Sequence, residues 1–120
     1  MGRRYSVEQA RAHLAALRPT LDEIVALRAD AAELQAAVQG GPLTDLGGLP
    51  ELKAAQARLD ELISVLTEDD VQVKGIAPLL LDFPGEVDGE PALLCWLEGD
   101  DDVDWWHRED LGFLGRRRLP

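Results

Sequence analysis

Cysteine is nearly absent from this chain: Cys95 stands alone among 120 residues. A single thiol excludes an internal disulfide framework and a cysteine zinc site of the kind built on two or more thiolates. Histidine is almost as scarce, with only His13 and His107, so no ligand set built on paired imidazoles is expected. No apolar run approaches the roughly 18 to 20 residues that span a bilayer, so no membrane association is expected. The opening Met-Gly-Arg-Arg-Tyr-Ser has charge but no apolar stretch behind it; it is not a secretory signal, and a cytoplasmic location is expected. Gly40-Gly41 and Gly47-Gly48 lack the following lysine and the strand-to-helix setting of a phosphate loop. There is no nucleophile elbow and no internal repeat.

Bases are few as well, 12 against 23 acids, giving a net charge of −11. The imbalance is concentrated after residue 67. Such a field repels phosphate backbones and argues against nucleic-acid binding. The exception is Arg116-Arg117-Arg118, which reads as a solvated end of the chain. The hydrophobic share of 46% is that of a folded protein, and the length suits one domain.

Ser6-Val7-Glu8-Gln9 has the pattern of a capping box. Behind it Ala10, Leu14, Leu17, Leu21, Ile24, Leu27, Ala31, Leu34 and Val38 recur every three or four residues, a helical stripe. Pro19 interrupts it, which predicts either a kink near Arg18 or two abutting helices, 7–18 and 20–38. Gly40, Gly41 and Pro42 stop the helix. A second stripe, Leu52, Ala55, Leu59, Leu62 and Leu66, follows a first-turn Pro50. Residues 6–67 are thus expected to form an antiparallel helical hairpin.

The period changes after Asp70. Val71 and Val73 alternate with polar neighbours, and Leu79–Phe83 is an apolar run closed by Pro84. Asp88-Gly89 is a hairpin turn signal, Ala92–Leu97 the return strand, and Val103–His107 a further strand. The fold class is α+β: an N-terminal antiparallel helical hairpin, a small antiparallel β-meander over 71–108, and a C-terminal tail over 109–120. The hairpin either covers one sheet face or projects as an arm from a β-head.

Chemistry-bearing residues collect in the second half, which holds five of the six aromatics. Trp105 and Trp106 point to opposite faces if their strand forms, one into the core and one outward. An indole rimmed by acids suits a basic partner, through cation–π contact and charge steering. That partner is an Arg- or Lys-rich segment, or the basic tail of a second copy. His107 with Asp82, Glu109 and Asp110 offers ligands for a divalent cation. The run Asp100-Asp101-Asp102 reads as a solvated turn. Cys95 lies between Leu94 and Trp96 and reads as a buried structural thiol; a dyad with His107 on a neighbouring strand is formally available. His13, on the first helix, reads as structural.

Val73-Lys74-Gly75, Leu81-Asp82-Phe83-Pro84, Gly89, Leu94-Cys95-Trp96, Trp106-His107 and Gly112-Phe113-x-Gly115-Arg116 together resemble the bacterial domain-of-unknown-function family 2203. The opening Ser-Val-Glu-Gln-Ala and the Leu-Arg-Pro break at Leu17–Pro19 extend the resemblance over nearly the whole chain. Gly75 stands where the family often has aspartate, and the tail carries an extra arginine. The resemblance implies small cytoplasmic bacterial proteins with no assigned activity. It singles out Trp106, His107, Gly112, Phe113, Gly115 and Arg116 as the most motif-like cluster.

With no catalytic constellation and no cofactor motif, the reading is a non-enzymatic protein-interaction or oligomerisation module, a homodimer through the helical stripe. Its binding residues are Trp105, Trp106, His107, Phe113 and Arg116. The alternative is a small divalent-metal-binding protein or metal-dependent enzyme using His107, Glu109, Asp110 and Asp82.

Overall fold

A computed structural model describes residues 2–120. The order is helix α1 (Val7–Val38), helix α2 (Leu49–Glu68), strands β1 (Gln72–Ile76), β2 (Leu79–Val87), β3 (Glu90–Leu97) and β4 (Trp105–His107), a 3₁₀ turn (Phe113–Gly115) and strand β5 (Arg117–Arg118). The fold is α+β, two helices followed by a five-stranded antiparallel sheet in the order β1-β2-β3-β4-β5. Among the described residues no helix is long and apolar enough to cross a membrane. The chain divides into two compact units. One runs up to Leu17 and resumes from Leu66 to Pro120; the other is Arg18–Val65.

The capping box forms as its sequence requires. Gln9 N–H donates to Ser6 Oγ (3.0 Å), and Ser6 N–H donates to Gln9 Oε1 (2.9 Å). Helix α1 then runs unbroken through Pro19, so two abutting helices do not occur. Proline frees the carbonyl four residues back, that of Ala15. Both residues are exposed, so water satisfies it and the helix continues. In the Arg18–Val65 unit, Leu34, Leu52 and Ala55 pack together, with Leu27 and Ala31 against them. Arg58 bridges Glu23 (2.7 Å) and Glu61 (3.0 Å) across the exposed face. Val38, Leu43, Leu46 and Leu49, around the connector, remain exposed.

In the other unit the Asp88-Gly89 turn closes the β2–β3 hairpin, both residues at positive φ (54° and 80°). Strand β2 runs through Pro84 rather than ending there. Pairing with β1 stops at Gln72↔Asp82, and the Pro84 carbonyl accepts from Tyr5 N–H (2.7 Å). A residue's N–H and C=O point to the same side of a strand. The missing donor of Pro84 therefore faces a side where β1 no longer reaches. Tyr5 bridges Gly85 in parallel, and a Cβ on Gly85 would lie 2.5 Å from the Tyr5 carbonyl oxygen. Gly85→Ala is expected to cost about 1 to 3 kcal/mol by this overpacking, read as a lower urea midpoint.

Two faces of the sheet follow from the register. Phe83, Leu94 and Trp106 are directly paired and share one face. Phe83 meets the Tyr5 ring edge-on (5.4 Å) and the His13 ring likewise (6.3 Å), so His13 lies in an aromatic cluster. Asp82, Cys95, Trp105 and Arg118 are directly paired on the opposite face, with Pro84, Leu93 and His107 in the next row.

Candidate metal centre

The two-residue hairpin turn fixes the β2–β3 register residue by residue, and that register sets Asp82 opposite Cys95. His107 lies on the same face of β4, paired with Leu93. Three strands thus bring a carboxylate, a thiol and an imidazole together. One donor atom from each lies within 4.8 Å of the other two, and all three residues are buried. Asp82 and His107 are each 2% exposed and Cys95 is fully covered. Among the described residues this is the one cluster of three potential metal ligands.

The protons of the cluster can be counted from its acceptors. His107 Nδ1 lies 2.8 Å from the Arg108 carbonyl, which can only accept, so Nδ1 carries the hydrogen. Nε2 lies 3.0 and 3.1 Å from the two Asp82 oxygens. Without a metal that contact needs one more proton, held by the imidazole or by the carboxyl. With a metal it needs none: Nε2 presents its lone pair, and the backbone carbonyl fixes the tautomer as partner to a ligating imidazole. Zinc bonds near 2.0 to 2.3 Å at tetrahedral angles set neighbouring donors roughly 3.3 to 3.6 Å apart, so donors that lie within 4.8 Å of one another would shift by roughly 1 Å to hold one ion.

The thiol is held neutral. Burial, then the Asp82 charge, push Cys95 up from 9.0 to about 11, against the opposing pull of Arg116. The unfolded thiol ionises near 9 while the folded one stays protonated. The folded state of the metal-free protein should therefore lose stability as pH rises from about 9 to about 11. At neutral pH a thiol reagent is expected to label native Cys95 far more slowly than the urea-unfolded chain.

Arg116 lies beside the cluster. Its Nη1 is 3.9 Å from Cys95 Sγ and donates to Asp100 Oδ2 at 3.0 Å. The guanidinium stacks on Trp105 (4.3 Å) and Phe113 (4.8 Å), and Arg118 also lies over Trp105 (5.1 Å). Arg116 is therefore not part of a solvated tail, while Arg117 and Arg118 stay exposed on a short edge strand. Arg117 and Arg118 pair with β4, and the aromatic surface of Trp105 receives the chain's own arginines. Trp105 and Trp106 do lie on opposite faces, but each is half-buried rather than one in the core and one outward. Strand β4 has three residues and β5 two, so neither face is fully covered at this edge. Asp100 is no free turn residue either, since its carboxylate also accepts from Leu97 N–H (3.0 Å).

Of the residues singled out in the sequence, Asp82 and His107 come together, and Trp105, Phe113 and Arg116 form the adjoining stack. Glu109 and Asp110 lie on the exposed turn, where Asp110 pairs with Arg108 (2.7 Å). Trp106 lines a separate shallow cleft with Val87, Pro91 and Arg108. Cys95 was legible as a member of the set through the Asp88-Gly89 turn, because counting back from it pairs 82 with 95. Its apolar neighbours Leu94 and Trp96 mislead, since both point to the other face.

No curated protein and no solved structure matches the chain. A family model, described as an uncharacterized conserved protein (DUF2203), matches residues 3–119. The chain therefore belongs to the DUF2203 family.

Proposed function

We propose that this protein binds one transition-metal dication of the zinc type through Asp82, Cys95 and His107. The observation that carries the reading is the convergence of three different donor types in one fully buried spot. Charge supports it. Two anionic ligands and a neutral imidazole balance a dication, and Arg116 with Asp100 forms a neutral pair beside them. A thiolate with an imidazole favours zinc and its neighbours over the oxygen-seeking calcium and magnesium. Three protein ligands leave a fourth position. A free thiol as ligand suits the reducing, cytoplasmic location expected from the sequence. The test is isothermal titration of untagged, chelator-treated protein with Zn²⁺ and with Mg²⁺. One zinc per chain and no magnesium heat is expected; no zinc heat, or equal response to both ions, overturns the reading.

A second role rests on the hairpin. Val38, Leu43, Leu46 and Leu49 expose apolar side chains around one connector, Leu43 at 95%. This supports self-association through the helical unit, a homodimer without enzymatic activity. Sedimentation should show a dimer that Leu43→Asp with Leu49→Asp converts to monomer; a wild-type monomer at high concentration contradicts it.

A further inference from the structure

Three ligands with almost no exposed surface pose a question of access. An ion reaches them only after some element moves. Strands β2 and β3 are held by eight residue pairs in the middle of the sheet. The segment over Cys95 on the ligand face is different. From Gly112 onward it is held to β4 by two strand pairs and by Leu119 N–H donating to the Asp104 carbonyl (2.8 Å). None of its apolar side chains is fully buried: Leu114 is 97% exposed, Phe113 37%, and Leu119 is half-buried. Its one deep anchor is Arg116, tied to Asp100 and stacked between Trp105 and Phe113. Segments with few buried apolar contacts open locally at a small fraction of the global unfolding free energy. Gly112, at φ 67°, supplies a pivot that other residues rarely adopt.

We propose that the segment Gly112–Pro120 is the gate of the Asp82–Cys95–His107 site and that Arg116 is its latch. The inference rests on the metal reading. With the latch closed, a guanidinium stands 3.9 Å from the sulfur and repels an incoming dication. With it open, that positive charge no longer stands between the cation and the sulfur. The gate governs how fast metal enters, while the three ligands govern how tightly it is held.

The test is stopped-flow mixing of the full chain with Zn²⁺, read by tryptophan fluorescence. Wild type is compared with Arg116→Ala, with Asp100→Asn, which releases the latch from its partner, and with the exposed Leu114→Ala. Both latch variants are expected to bind about tenfold faster or more, with Leu114→Ala at the wild-type rate. Equal rates in all four proteins overturn the gate and leave the metal site standing. No zinc uptake by any of them overturns the metal reading instead. Native-state hydrogen exchange of the wild type covers a latch variant that fails to fold. The Arg116 and Leu119 amides should exchange well before those of β2 and β3; equal protection overturns the gate.

Discussion

Asp82→Ala is expected to cost the metal-free protein about 3 to 5 kcal/mol, the usual penalty for breaking a buried ion pair, here that of His107 with Asp82. Among the described residues His107 Nε2 has its hydrogen-bond contacts with the two Asp82 oxygens, at 3.0 and 3.1 Å, in a site 2% exposed where water does not readily replace them. The unfolding temperature should fall by more than about 10 °C, read by circular dichroism. Asp82→Asn offers an amide N–H that can donate to the Nε2 lone pair at nearly constant volume and is expected to retain most of that stability, because an amide pairs with a neutral imidazole without burying charge. Yet Asn is a poor metal ligand, so this variant should lose zinc while staying folded. A mild loss in Asp82→Ala would mean that the imidazole finds another partner, and the proton count given above would be wrong.

The second large effect lies on the other face of the sheet. Phe83→Ala is expected to cost about 3 to 5 kcal/mol. The ring is fully buried and meets both Tyr5 and His13, which tie the start of α1 to β2. Removing it leaves a cavity under rings that are fixed by their own backbone bonds, with Tyr5 N–H on the Pro84 carbonyl. Phe83→Leu should cost less than half as much, since most of the volume is refilled. The site residues lie on the opposite face, so zinc stoichiometry in the folded fraction should not change.

Much of this architecture is written in local signals. The Ser6–Gln9 box, the leucine stripes, the change of period after Asp70 and the Asp88-Gly89 turn each act within a few residues. Each yields the expected element. What escaped local reading depends on partners distant in sequence. Pro84 reads as a strand end until Tyr5 is known to lie beside it. Arg116 reads as part of a solvated end until Trp105 and Asp100 are known to receive it. Pro19 reads as a break, but its freed carbonyl faces water and the helix continues. For the site, Asp82 and His107 were legible as ligand types. Cys95 reads as a structural thiol as long as its sequence neighbours Leu94 and Trp96 stand in for its spatial ones. In a strand the neighbours that matter are those across the ladder, and for Cys95 these are Asp82 and Trp105.

Cobalt substitution tests the central claim most directly, because Co²⁺ occupies zinc sites and reports its ligands in its absorption spectrum. Titration of the metal-free protein is expected to end at one Co²⁺ per chain. The spectrum should show tetrahedral visible bands and a sulfur-to-metal charge-transfer band that Cys95→Ser abolishes. An octahedral spectrum, a charge-transfer band that survives Cys95→Ser, or no bound cobalt would contradict a metal centre at Asp82, Cys95 and His107.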